Sequence, residues 1–277
     1  MKKIKYPLVF SDFDGTLLRS DDTLAEETKA TISKYVQDGG IFVLSSGRMT
    51  PSILKQARAL SLTGLLSAYN GSEVVDIQSG ERLFQGNLPK QGVVNICRLM
   101  ESLGLHIHVY DGDNFYSNTG GEILKMYEHV CQVTGIVVDD MPLSQFVEEK
   151  NLNIVKVVAL VAYEEREKIY AQLDDAFGKD YLVLRSAKFL IEICDKRYSK
   201  GTALRYIAEK YGIPLEKTIA VGDNQNDLSM LQTAGLGLAV ANGEASLKGK
   251  VPFFEYSNDE NAVGRIIENY AYTEDEK

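Results

Sequence analysis

Asp12 and Asp14, with one residue between them, follow the apolar run Leu8-Val9-Phe10 and stand just before Gly15. A short run of that kind reads as a strand buried on both faces. Two carboxylates at its exit can face one spot while Gly15 lets the chain turn away, although Asp and Gly are also ordinary turn formers. Ser46-Gly47-Arg48 closes a second apolar run, Ile41-Phe42-Val43-Leu44. A hydroxyl and exposed backbone N–H groups ahead of a helix make a small anion nest, or simply a common turn. The stretch Gly222-Asp223-Asn224-Gln225-Asn226-Asp227 follows Ala220-Val221 and is too rich in carboxylates and amides for a routine connection. It is no EF-hand loop, because Leu228 stands where the glycine belongs and Ala234 where the bidentate Glu belongs. Oxygen ligands from one or two carboxylates do suit Mg²⁺. Lys200 sits in the first turn of a helix capped by Ser199, a poor place for a cation against the helix dipole. Solvation would be the bland explanation. The placement makes sense if helix N-terminus and ammonium point at one bound anion.

Taken together, Asp12, Asp14 and Asp223 crowd like charges into one crevice, at a cost unless a cation lies between them. Ser46, Lys200 and Asn226 are groups suited to phosphate oxygens. A carboxylate does not readily attack a phosphate dianion; a divalent ion with a lysine behind it removes the repulsion. Asp12 would then attack phosphorus to form an aspartyl phosphate. Asp14 would protonate the leaving alcohol and later activate water.

The elements that must hold these groups alternate strand and helix. Strands at Leu8–Phe10, Ile41–Leu44 and Leu65–Tyr69 are separated by helices, the first opened by a Thr23/Glu26 capping box and stopped at Gly39-Gly40, the second with Pro51 in its first turn. Asn70-Gly71 is a turn dipeptide. The pattern repeats after Ser199: a helix from Lys200 to Tyr211, a strand at Thr218–Val221, a helix at Leu228–Thr233, a strand at Leu238–Val240, a short strand near Phe253–Tyr256 and a helix at Ala262–Tyr270. Such a rhythm means a parallel sheet with right-handed crossovers, whose ligands sit at the carboxyl ends of its strands. Between Phe84 and Cys194 the rhythm breaks into helices and a hairpin (Leu105–Tyr110, Phe115–Ser117), the mark of an inserted α+β module. The tail, Thr273 to Lys277, is expected to fray. The fold class is therefore α/β, a Rossmann-like parallel-sheet core at 1–83 and 195–277 with an α+β cap inserted at 84–194.

The composition narrows the partners. Of 277 residues, 44% are hydrophobic and 25% charged, an ordinary globular chain with enough apolar mass for a sizeable core. Thirty Lys and Arg against thirty-nine Asp and Glu give a net charge of −9, which repels nucleic acid and anionic membranes. No window approaches the ~20 apolar residues of a membrane span, and the N-terminus lacks a signal-peptide core. Three scattered cysteines, Cys97, Cys131 and Cys194, make neither a disulfide framework nor a zinc site, so buried thiols and a cytoplasmic location are expected. His106 and His108 share a strand face, expected to be solvated.

Asp12-Phe13-Asp14-Gly15-Thr16-Leu17, Ser46-Gly47-Arg48, Lys200-Gly201 and Gly222-Asp223-Asn224-Gln225-Asn226-Asp227 resemble, in order, the four motifs of the haloacid dehalogenase superfamily. The insertion resembles the large α/β cap of its Cof-type phosphatases. The resemblance implies a Mg²⁺-dependent phosphatase for a small phosphorylated metabolite, and a monomer or weak homodimer is expected. It implies Asp12 as nucleophile and metal ligand, Asp14 as acid/base with its backbone carbonyl on the metal, and Asp223 as the further metal ligand. Phe13 N–H, Ser46, Gly47, Lys200 and Asn226 match the phosphate-binding groups, and Asp227 a supporting acidic position. Ser46 replaces the more frequent Thr with its hydroxyl kept. Asn70-Gly71 also resembles an Asn-Gly beside the site in Cof-type members. Two other readings use similar groups: a phosphomutase or phosphotransferase of the same superfamily, and a phospho-acceptor signalling domain, against which Asp14 and the large insertion argue.

Overall fold

The computed structural model describes residues 3–187 and 189–273, so the tail beyond Thr273 falls outside it. The chain opens with β1 (Leu8–Asp12), α1 (Glu26–Gln37), β2 (Ile41–Ser45), α2 (Thr50–Ala59), β3 (Leu65–Ala68), β4 (Glu73–Asp76) and β5 (Arg82–Gln85). Next come α3 (Lys90–Ser102), β6 (His106–Asp111), β7 (Asn114–Ser117), α4 (Glu122–Cys131), β8 (Ile136–Val137), α5 (Leu143–Glu149), β9 (Ile154–Leu160), α6 (Arg166–Phe177), β10 (Leu182–Ala187) and β11 (Leu190–Cys194). The last stretch holds α7 (Lys200–Lys210), β12 (Thr218–Gly222), α8 (Leu228–Thr233), β13 (Leu236–Ala239) and α9 (Ala262–Tyr270). Two compact units result: Met1–Gly47, Ile53–Phe84 and Ser199–Lys277 in one, Arg48–Ser52 and Gln85–Tyr198 in the other. No helix among the described residues is long and apolar enough to cross a membrane.

The first unit is built on a seven-stranded sheet in the order β13-β12-β1-β2-β3-β4-β5. From β13 to β3 every pairing is parallel. Leu8, Val9 and Phe10 are wholly buried, as a central parallel strand requires. Against the sheet lie Ala203, Leu204, Ile207 and Ala208 of α7 with Met230 and Leu231 of α8. The register sets Ser11 beside Val221 and Asp12 beside Ser45, so the carboxyl ends of β1, β2 and β12 finish together.

Three local expectations need correction. The helix near Thr23 begins at Glu26 behind Ala25, because the Thr23 hydroxyl donates instead to Asp21 Oδ1 at 2.5 Å and closes a local turn. The parallel run is extended by β4, antiparallel to β3, and by β5, both too short to stand out from their flanking turns. Around Phe253 there is only an isolated bridge to Ala239, since Pro252 has no N–H to donate to a ladder.

The second unit holds a six-stranded sheet in the order β10-β11-β9-β6-β7-β8. One face, with Ile107, Val109, Val157, Ile191 and Ile193, packs on α3, α5 and α6 through Cys97, Val147 and Leu173. The other face is polar, and at His108 it is not solvated, which corrects the expectation for that residue; His106 is half-buried. His108 is fully buried because α4 lays Tyr127 across it, with ring centroids 4.9 Å apart. His106 Nε2 lies 3.1 Å from His108 Nε2, and Tyr110 bonds Tyr127 at 2.5 Å. Alongside, the buried Lys156 donates to Glu192 at 3.0 Å. Burial lowers the His108 pKa to about 3, so the ring is neutral.

Between β3 and β4 the chain turns through three left-handed residues, Tyr69 (φ 51°), Asn70 (φ 56°) and Gly71 (φ 94°). Gly71 packs so tightly on the start of α7 that a Cβ there would lie 2.1 Å from the Ser199 carbonyl oxygen. Gly71→Ala should therefore combine backbone strain with a backbone clash and cost about 2–3 kcal/mol. The check is a lowered urea midpoint at unchanged m-value.

Candidate active site

Each polar group sits where an apolar element ends. Asp12 is the last residue of β1 and is 5% exposed. Gly15, with φ 77°, turns the chain away; a Cβ at that position would stand 2.7 Å from Asp223 Oδ2. Phe13 is buried between the two aspartates of the first motif, while Asp14 is exposed. The Ser46 hydroxyl, at the end of β2, donates to Asp14 Oδ2 at 3.4 Å.

Lys200 is the first residue of α7, whose start is fixed by a capping box between Ser199 and Thr202. Its side chain is fully buried rather than solvated. The ammonium donates to Asp12 Oδ1 at 2.5 Å and to Asp227 Oδ1 at 2.6 Å. Those bonds explain a cation tolerated at a helix N-terminus, and the two carboxylates hold the Lys200 pKa above its usual value despite burial. Asp227 does more than support. Its Oδ2 accepts from the backbone N–H of Asp223 and Asn224, each at 2.9 Å, and so shapes the whole loop after β12. Asp223 in turn accepts from the Thr16 hydroxyl at 2.8 Å.

Oxygens of Asp12, Asp223 and Asp227 all lie within 4.8 Å of one another. Among the described residues, Lys200 is the cation paired with these three carboxylates, whose formal charge exceeds its own by two. An all-oxygen donor set with that residual charge fits a hard divalent cation. Without one, burial and then the charge of Asp227 push the Asp12 pKa well above the carboxylate range, and the same two causes raise Asp223 to about 6. Asn226 stands beside this cluster, donating through Nδ2 to Asn70 Oδ1 at 2.8 Å.

Of the residues singled out by sequence, Asp12, Asp223, Lys200 and Asp227 thus converge directly. Ser46 reaches Asp14, and Gly47 lies against Asn70. Thr16 lies in the first motif, and its position four residues after Asp12 carries no sequence signal for the bond to Asp223.

A family model of haloacid dehalogenase-like hydrolases matches residues 9–267. The chain belongs to that family. The resemblance to the superfamily and its Cof-type phosphatases is borne out by this match and by relatives that are phosphatases. This hydrolase is 28% identical over 268 residues to the 5-amino-6-(5-phospho-D-ribitylamino)uracil phosphatase YitU of Bacillus subtilis, covering 95% of this chain and 97% of that one. It is 26% identical to the Bacillus subtilis phosphatase YwpJ, over 95% of this chain and 99% of the relative. A crystal structure of a haloacid dehalogenase-like hydrolase from Bacteroides thetaiotaomicron superposes with a TM-score of 0.83 at 26% identity, covering 95% and 99% of the two chains. The α/β core is the fold of that group, and the protein is a phosphatase of the superfamily.

The raised pKa of Asp223 has a measurable sign. A carboxyl whose folded pKa lies above its unfolded one contributes stability that is complete below about pH 4 and lost as pH rises through about 6. In chelator, unfolding free energy of the wild type should carry a downward contribution between those values, and Asp223→Asn should lack it. Urea titrations of both proteins at pH 4, 5, 6 and 7 make the comparison.

Proposed function

We propose that the chain is a Mg²⁺-dependent phosphatase that hydrolyses small phosphate monoesters, sugar phosphates or other phosphorylated metabolites, through an aspartyl phosphate on Asp12. The observation that carries the reading is the convergence of Asp12, Asp223 and Asp227 around one buried lysine, with Asp14 two residues beyond Asp12.

In this reading Asp12, Asp223 and the backbone carbonyl of Asp14 hold Mg²⁺, with Asp227 close behind. The ion supplies charge that offsets the repulsion between carboxylate and phosphate. Lys200 holds the Asp12 carboxylate in place and remains protonated throughout, so its positive charge persists as negative charge builds on the phosphoryl oxygens. Phe13 N–H, Ser46, Gly47 and Asn226 bind those oxygens. Asp12 Oδ forms a bond to phosphorus as the ester oxygen leaves, and Asp14, exposed at the mouth of the first loop, gives that oxygen its proton. Asp14 then takes a proton from water. The resulting hydroxide attacks phosphorus, releasing inorganic phosphate and the free Asp12 carboxylate. The inserted residues 84–194 are assigned to substrate selection, as a cap that excludes water. A small metabolite is supported by the name of the YitU relative, whose substrate is a phosphorylated ribitylaminouracil. The net charge of −9 argues against a polyanionic one.

Phosphate release from a panel of sugar phosphates, nucleotides, flavin and pyridoxal phosphates should require Mg²⁺ and stop with chelator. Asp12→Asn should lower it by about 10⁴-fold or more, and Asp14→Asn by roughly 10²- to 10⁴-fold. Intact Mg²⁺-dependent turnover in Asp12→Asn would sink the mechanism.

A further inference from the structure

Asn70 occupies a conformation that the protein maintains at a cost. A non-glycine residue in the left-handed region is strained by about 1 kcal/mol, and here two follow one another, Tyr69 at φ 51° and Asn70 at φ 56°. Tyr69 is wholly buried, so the strain is enforced by packing. Strain of this sort persists where the conformation places a group that is needed.

What it places is the Asn70 carboxamide. Its Oδ1 accepts from Asn226 Nδ2 at 2.8 Å, across the 156 residues that separate the two in sequence. Its backbone N–H donates to the Ser46 carbonyl at 3.0 Å. Room is provided by Gly47, where a Cβ would fall 2.9 Å from Asn70 Oδ1. Any larger residue at 47 would push the carboxamide off Asn226. Gly71 completes the arrangement by packing on the backbone of Ser199 and Lys200. One left-handed turn thus touches the loop after β2, the start of α7 and the loop after β12.

A lone asparagine amide can turn over and exchange its donor for its acceptor, and the two states present opposite chemistry to a ligand. Among the described residues, Asn70 is the side-chain partner that couples to this choice in Asn226. With Nδ2 held by Asn70, its Oδ1 is buried and bonds no protein group among the described residues. We propose that Asn70 is a positioning residue for phosphoryl binding: acting through Asn226 rather than on the substrate, it fixes the orientation of the Asn226 amide and locks the loops after β2 and β12 together. The inference rests on the assignment of Asn226 to phosphate given above.

The test uses Asn70→Gly, which removes the carboxamide while glycine accepts the left-handed backbone without strain. The probe is inorganic phosphate, its Kd measured by calorimetry with saturating Mg²⁺ on the full-length protein. Loss of an outer partner of this kind is expected to weaken phosphate binding by about tenfold and to lower kcat by about 10- to 100-fold, with Mg²⁺ affinity and thermal midpoint near wild type. In the double variant Asn70→Gly/Asn226→Ala, phosphate should bind no worse than in Asn226→Ala alone, because one residue acts through the other. Asn70→Ser, too short to reach Asn226, serves the same cycle if the glycine variant does not fold. Phosphate binding within twofold of wild type in Asn70→Gly, or losses that multiply in the double variant, overturns the inference. A wild-type protein that neither binds phosphate nor hydrolyses any ester, or an active Asp12→Asn variant, overturns the functional reading itself.

Discussion

Lys200 carries its positive charge where water does not reach it, and two carboxylates, Asp12 and Asp227, are buried there with it. Removing such ions from water costs several kcal/mol apiece, and good geometry with further hydrogen bonds is needed to offset it. Much of the first unit supplies that geometry. The parallel register ends β1 and β12 at the same level, the Ser199 cap starts α7 at Lys200, and Asp227 spends its second oxygen on the backbone of the loop that carries Asp223. Breaking any one of these would leave a charge buried without its partner.

The same interaction leaves the cluster deliberately incomplete. One ammonium cannot balance three carboxylates, so the resting site is strained electrostatically in the sense that a divalent cation relieves. Fold stability and the proposed metal site draw on one set of groups. The left-handed turn at Tyr69–Gly71 adds a second, conformational cost in the same neighbourhood. Apolar packing of Phe10, Val43, Ala203, Leu204 and Ile207 beneath it must carry both.

The polar ends of β1, β2 and β12 were legible because each apolar run stops abruptly at residues that have no reason to be there for packing alone. Helices α8 and α9 have the bounds the sequence indicates, and Ser199 is the cap it resembles. What the sequence could not show was pairing at long range. Nothing local tells that Lys200 meets Asp227 or that Asn226 meets Asn70, since the partners are brought together by strand order. His108 failed for a related reason: alternation along β6 tells which face a residue takes, but not that α4 covers that face with Tyr127. Thr23 shows the opposite case, a local competitor, Asp21, taking a hydroxyl that the capping pattern had reserved.

All three cysteines of the chain lie in the second unit, Cys97 on α3, Cys131 at the end of α4 and Cys194 at the end of β11, and all three are buried. Burial raises each thiol, that of Cys194 to about 12. An alkylating reagent requires a thiolate in contact with solvent. It finds none on the folded protein, so the pace of alkylation becomes a clock for local opening of this unit alone, with the seven-stranded sheet silent to it.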